Sequence, residues 1–239
     1  MAAAPRGFRQ CGQECPRSFV PLQKDVVSKR FPSLPVPVDF FNPRQDIEKT
    51  RHRLPHWQQG RVPVFVTFRL ADALPQAVVG SLVSARDAFL SMNPKPWDEA
   101  TENAYVRDFA TKFEQYLDAG FGCCALSEAR VADIVVERLR HFHSLRYELH
   151  AFVVMLNHVH VLFTPNDAAM LPDIVQAWKG VSSRMIHKQS LSDLNPFWQP
   201  DYFDRLIRNP GHFEKVRGYI ADNPSKAGLR SGYVLADGA

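Results

Sequence analysis

Two apolar runs joined by two residues constrain this chain more than any other stretch of it. Tyr147 to Met155 is followed by Leu156-Asn157 and then by His158 to Thr164, which reads as a tight β-hairpin. Asn157 tolerates the positive φ that such a turn requires, and Pro165 stops the second strand. An earlier strand reads over Val62 to Leu70, where Val64, Val66 and Phe68 alternate with Phe65, Thr67 and Arg69. Helical patterns lie between them at Gln76 to Ser91, Asp98 to Ala119 and Ser127 to His143. In the last, Val131, Ile134, Val135, Leu139 and Phe142 recur at helical spacing, with Ser127 as its cap. After the hairpin come a helix from Leu171 to about Lys188, an extended stretch around Phe197 to Ile207, and a helix from Pro210 to about Asp222 closed by Asn223-Pro224. The order strand, helices, hairpin, helix, strand, helix predicts an α+β fold with helices on an antiparallel sheet. Its connectivity is close to ferredoxin-like, with a helical insertion after the first strand.

The 239 residues, 45% of them apolar, suit one large domain or one domain with an appendage and exclude wholesale disorder. Seven of the 18 prolines fall before residue 46, among them the run Phe31 to Pro43, so residues 1–45 read as a proline-rich basic arm. The aromatics Phe31, Phe40 and Phe41 could still dock on the body. Residues 46–230 then form the domain and 231–239 a C-terminal tail. The longest apolar run, Ala151 to Leu156, is far short of a membrane span, and the N-terminus lacks the apolar stretch of a secretory signal. Cytoplasmic residence is the expectation. Cys11, Cys15, Cys123 and Cys124 lack zinc-finger spacing and read as reduced, structurally incidental thiols.

A net charge of +4 hides its distribution. Residues 1–45 carry +4, 46–175 carry −3 and 176–230 carry +4 again, which hints at a polyanionic partner. In the last segment aromatic and polar or basic residues interleave: Trp178, Lys179, Arg184, Trp198, Gln199, Tyr202, Arg205 and Arg208. Flat rings for base stacking beside cations for phosphate suit single-stranded or hairpin nucleic acid. The bland reading is a solvated basic face with buried rings.

His158-Val159-His160 carries the most chemistry. On a strand, residues two apart share a face, so both imidazoles project together and can hold one divalent ion. They read equally as hydrogen-bonded histidines on a sheet face. Tyr219 and Asn223 are four apart and share one face of the final helix. A tyrosine oxygen beside a metal could attack phosphorus; an isolated helical tyrosine more commonly packs its ring, here with Val216 and Ile220.

Taken together these residues resemble the HUH single-tyrosine transposases, and most closely their REP-associated tyrosine transposase branch. The resemblance is carried by VVMLNHVHVLFTP (Val153 to Pro165), WKGVSSRMI (Trp178 to Ile186), FWQPDYFDRLIRNPGHF (Phe197 to Phe213) and YIADNPSKAGL (Tyr219 to Leu229), with LPHWQQGRVPVFVTFRLADALP (Leu54 to Pro75) before them. It covers roughly residues 50 to 230. It implies a ferredoxin-like HUH endonuclease fold that acts on single-stranded or hairpin DNA (palindromic repeats) with Mg2+ or Mn2+. His158 and His160 fall on the metal-ligand pair and Tyr219 on the nucleophile. Asn223 falls where related transposases carry a third polar ligand, often glutamine, and Leu156 replaces a proline usual in the branch.

The expected reaction is single-strand cleavage and strand transfer through a 5′-phosphotyrosine intermediate. It needs no nucleotide, and the chain has no G-x-x-x-x-G-K-[ST] phosphate loop. Two rival readings remain: a metal-dependent nuclease that activates water, for which no Asp or Glu lies beside the histidines in sequence, and a hairpin DNA-binding protein without chemistry.

Overall fold

The computed structural model describes residues 38–51, 55–94 and 98–237. Most of the expected N-terminal arm, with Phe31, Cys11 and Cys15, lies outside the described residues.

A two-stranded hairpin, β1 (Glu48–Arg51) and β2 (Pro55–Gln58), precedes the main sheet. The first central strand, β3 (Val64–Arg69), leads into α1 (Gln76–Met92), α2 (Glu99–Tyr105) and α3 (Thr111–Asp118), the last two joined by a π-helical turn over Val106–Ala110. A 3-10 turn over Ala125–Ser127 then opens α4 (Ala129–Arg140). The hairpin of β4 (Tyr147–Val154) and β5 (His158–Pro165) follows, then α5 (Leu171–Lys188), β6 (Phe203–Leu206), α6 (Pro210–Lys226) and β7 (Val234–Asp237).

The main sheet runs β6-β3-β5-β4-β7, and every neighbouring pair is antiparallel. Its first four strands are two interleaved split β-α-β units, the expected ferredoxin-like order, with α1 to α4 as the insertion after the first strand. β7 was not foreseen: the segment expected as a tail pairs Val234 with Val154 and Leu235 with Val153, adding an edge strand. The N-terminal side docks as well. Phe41 N–H donates to Ile207 C=O at 3.0 Å, Gln59 and Asn42 exchange two bonds of 2.8 Å, and Phe40 and Phe41 pack on opposite sides of the sheet.

Each face of the sheet carries its own core. Val64, Val66 and Phe68 of β3 and Val159, Val161 and Phe163 of β5 meet α4 and α5 on the first face. Phe65, Leu162 and Val153 meet Phe213, Val216 and Ile220 of α6 on the second. Simple alternation fails at one point: the β4–β5 register slips between Leu149 and Ala151, and these two land on opposite faces.

Three local expectations need correction. Asn157 does not take a positive φ; among non-glycine described residues only Cys124, Ser144 and Ser190 do. Ser127 does not cap α4, because its hydroxyl donates to Cys124 C=O within the preceding turn, at 2.6 Å. Nor does α6 stop before Asn223-Pro224. It runs on to Lys226, because a proline near a helix end removes only one late N–H while its ring fits the helical φ. The N-terminus of α6 is capped by Asn209, whose side chain accepts His212 N–H at 2.8 Å.

Candidate active site

The histidines project from β5 onto the second face, into contact with α6 and with α3 of the insertion. His158 and His160 are 1% and 0% exposed, so each polar ring atom needs a partner or carries a cost. Asn157 supplies the first. Its Nδ2 donates to Phe121 C=O at 3.0 Å, which turns Oδ1 toward His158 Nδ1 at 2.8 Å. A carbonyl oxygen only accepts, so His158 carries its proton on Nδ1 and presents a bare lone pair at Nε2. Thr67 lies opposite His160 in the β3–β5 register, and its Oγ1 meets His160 Nδ1 at 2.8 Å. With Thr67 as acceptor, His160 Nε2 is bare as well.

The two Nε2 atoms are 3.1 Å apart. Burial holds His158 down at about 3, and burial followed by the neighbouring His158 holds His160 far below its ordinary value. Both rings are therefore neutral at ordinary pH, the form that ligates metal.

His160 Nε2 is the hub of the site. Tyr219 Oη lies 3.5 Å from it, Asn223 Nδ2 3.5 Å and Glu114 Oε2 3.4 Å. The one-turn spacing of Tyr219 and Asn223 on α6 brings both to this atom, as the sequence predicts. The Tyr219 ring lies edge-on to Phe65 at 5.9 Å with Lys226 Nζ 5.1 Å from its centroid, and its hydroxyl donates to Glu114. Burial, then the negative Glu114, pushes the Tyr219 phenol far above its ordinary value. Burial pushes the Glu114 carboxyl up to about 7, and that of Asp118, one turn on, up to about 6.

Asn223 is fully buried, and its Oδ1 has no hydrogen-bond partner. Among the described residues no group of three or more His, Cys, Asp or Glu side chains is arranged to hold a metal ion. A divalent ion here would rest on the two imidazoles and, with the Asn223 amide turned so that its orphaned Oδ1 takes the place of Nδ2 beside His160, on that oxygen. The donor set fits one: two facing lone pairs and an unsatisfied carbonyl all gain from a cation.

The stacking rings expected from the sequence are a correction. Trp178 and Trp198 are 3% and 5% exposed, and both indole N–H groups are satisfied inside, by Tyr147 Oη at 2.8 Å and Ser182 Oγ at 3.0 Å. Tyr202 is also buried, stacked on His56 at 3.9 Å. Lys179 of α5 donates to Pro200 C=O and Gln199 to Ala71 C=O, so one ties α5 to the loop after it and the other ties that loop to the segment after β3. Burial, partly countered by Asp201, lowers Lys179 to about 8. Arg184 is exposed, but α5 packs on the first face, across the sheet from the histidines. Arg205, opposite Phe65 in register, lies on the histidine face, and Arg208 is exposed just before α6. The sheet thus separates the interleaved aromatic and basic residues of α5 from Tyr219.

Sequence reasoning missed several groups. Glu114 and Thr67 come from the insertion and from β3. Arg69 stands opposite His158 in register with its guanidinium 5.1 Å from the Phe113 ring centroid, and burial lowers it to about 10. His56 of β2 bonds Asp204 through Nδ1 at 2.5 Å and Asp201 through Nε2 at 3.2 Å. Burial alone would lower it, but the two carboxylates outweigh that and raise it to about 9. Period-2 alternation marked Thr67 and Arg69 as one face; nothing local marked Glu114 or His56.

Part of this chain is similar to known transposases. Residues 128–223 match the family model described as Transposase IS200 like. That stretch is less than half of the chain, and over it the chain is similar to the family that the motifs resemble. Over 99 residues the chain is 30% identical to a REP-associated tyrosine transposase of Escherichia coli (strain K12), covering 41% of this chain. The chain thus spans about half, 54%, of the length of the curated relative it matches. A solved structure of a REP-associated tyrosine transposase bound to a REP hairpin aligns over 75% of this chain and 74% of its own, with 17% identity and a TM-score of 0.41. The matched segment holds β5, α5 and most of α6, hence His158, His160, Tyr219 and Asn223; Thr67 and Glu114 lie before it. No helix among the described residues is long and apolar enough to cross a membrane.

Proposed function

We propose that this chain cleaves and rejoins single-stranded DNA at hairpin-forming palindromic repeats, using Tyr219 as the nucleophile. The observation that carries the reading is the Tyr219 hydroxyl 3.5 Å from His160 Nε2, which itself faces His158 Nε2 at 3.1 Å. Tyr219 Oη forms a bond to the scissile phosphorus as the bond to the 3′-oxygen breaks. The phenol proton ends on that oxygen, leaving a 5′-phosphotyrosine and a free 3′-hydroxyl. Because the ester is conserved, a 3′-hydroxyl of another strand can reverse the attack without a nucleotide.

His158, His160 and Asn223 are the residues that would hold Mg2+ or Mn2+. Such an ion, when bound, supplies Lewis-acid polarisation of the phosphate and offsets its charge. The chain's own side chains do the rest. Asn157 and Thr67 aim the two Nε2 lone pairs, the Phe65 edge seats the Tyr219 ring, and burial excludes water that would compete with the phenol.

The test is a labelled hairpin oligonucleotide, taken from palindromes flanking the coding region, incubated with protein and Mg2+ or Mn2+. A covalent protein–DNA adduct lost in Tyr219→Phe is expected; an adduct that survives the substitution refutes the nucleophile. Glu114 favours one rival, since a carboxylate beside the histidines could serve an activated water. That reading predicts cleavage with no adduct at any time point, and a binding protein without chemistry predicts retention with no cleavage.

A further inference from the structure

We propose that Glu114, carried on α3 of the helical insertion, is the positioning residue for the nucleophile. Its carboxylate accepts the Tyr219 O–H and sets the direction of the phenol oxygen's lone pairs beside the histidine pair. The proposal rests on the reading of Tyr219 as nucleophile and assigns a role to an element that lies outside the IS200-like segment.

The geometry limits the choice of partner. A phenol has one hydrogen to donate and two lone pairs, and attack on phosphorus uses a lone pair. Two of the polar neighbours of His160 Nε2 sit beside Tyr219 Oη: Glu114 Oε2 and the Asn223 amide. Asn223 presents Nδ2 there, a donor, and His160 Nε2 is the lone pair that would hold the metal. Glu114 is the acceptor that takes the hydroxyl hydrogen. With the hydrogen drawn toward α3, the lone pairs turn away from it.

The ring supports alone do not fix the oxygen. Phe65 meets the ring edge-on at 5.9 Å and Lys226 lies over it at 5.1 Å, contacts that restrain its plane but leave the hydroxyl rotor free. Glu114 also sits 3.4 Å from His160 Nε2, so one carboxylate spans the nucleophile and the histidine it must approach. Its own helix is anchored nearby. Leu117 is 1% exposed in the first-face core, and the Phe113 ring lies under the Arg69 guanidinium at 5.1 Å. Phe121, just beyond α3, accepts the Asn157 bond that orients His158. The insertion therefore supports both halves of the site: a backbone carbonyl for the ligand's tautomer and a carboxylate for the nucleophile.

Two variants and two readouts test this. Misplacing a reacting atom by about 1 Å costs on the order of 100-fold in rate. Glu114→Ala should therefore slow adduct formation roughly 10- to 100-fold, with hairpin affinity by fluorescence anisotropy unchanged within about twofold. Glu114→Gln keeps an oxygen acceptor and should recover most of the rate. The second readout needs no DNA: with 3-fluorotyrosine at position 219, one 19F resonance is expected for the native chain and for Glu114→Gln, and a shifted or broadened one for Glu114→Ala. Equal rates per folded molecule in Glu114→Ala, or an unmoved 19F signal, overturn the proposal, since they leave a mere tether. A faster adduct in Glu114→Ala overturns it by making the carboxylate an obstruction, and a Glu114→Gln as slow as alanine overturns it by making charge, not acceptance, the requirement. Failure of the nucleophile reading is separate: it appears as an adduct persisting in Tyr219→Phe.

Discussion

Replacing Asn157 by alanine tests how the turn controls the chemistry. Two bonds end on this 1%-exposed amide, one of 3.0 Å to Phe121 C=O and one of 2.8 Å from His158 Nδ1. Alanine leaves the His158 N–H buried without its acceptor, at about 1–3 kcal/mol, and forfeits the Phe121 bond at about 1 kcal/mol more. The sum is about 2–4 kcal/mol. For a chain of this size about 2–4 °C is lost per kcal/mol, so the melting temperature should fall by about 5–15 °C. Urea unfolding followed by circular dichroism measures the first effect, with an unchanged m-value showing that the same surface is exposed. The second effect is chemical. His158 should be a pure Nδ1–H tautomer in the native chain and a mixture in Asn157→Ala, read by long-range 1H–15N correlation, with Mn2+ affinity falling roughly 10- to 100-fold. A stability loss below about 1 kcal/mol, or a native His158 protonated on Nε2, would refute the reasoning.

Three further outcomes follow from burial and charge. His56 is raised to about 9 from 6.5 by Asp201 and Asp204, so its pairing contributes stability fully below pH 6.5 and loses it as pH rises through 9. The difference in urea midpoint between the native chain and His56→Gln should therefore shrink steadily over that range, and a difference that stays constant to pH 10 refutes the ion pairing. Trp178→Ala should destabilise by about 3–5 kcal/mol as a core truncation. Arg208→Ala, at an exposed position, should leave stability within about 0.5 kcal/mol. It should also lower the salt slope of hairpin binding by about 1, and an unchanged slope removes Arg208 from the DNA surface.

The hairpin, the first central strand and the helix order were legible because each rests on local periodicity. Fully buried β5 still shows its run of apolar residues around the histidines, and α6 shows Tyr219 and Asn223 one turn apart. Other parts were illegible for reasons that differ. β7 is four residues long, and its pairing with β4 joins stretches far apart in sequence, so no local pattern announces it. The bulge between Leu149 and Ala151 inverts the alternation midway along β4. Trp178, Trp198 and Tyr202 look alike in sequence whether they stack on bases or on Phe68 and His56. Only the closure of α5 against the sheet buries them.

Glu114 shows the same limit at the site. On α3 it is one acidic residue in an amphipathic helix, indistinguishable from a solvated one, and its partner Tyr219 lies 105 positions away. Local patterning alone settles that two imidazoles share one strand face and that a tyrosine and an amide share one helix face, because those relations follow from periods of 2 and 3.6 within a single element. Packing decides that the two faces meet at His160 Nε2, that Asn157 and Thr67 bare the lone pairs there, and that a carboxylate from the insertion takes the phenol hydrogen. Those contacts join elements separated by long stretches of chain, and only the burial of both sheet faces brings them together.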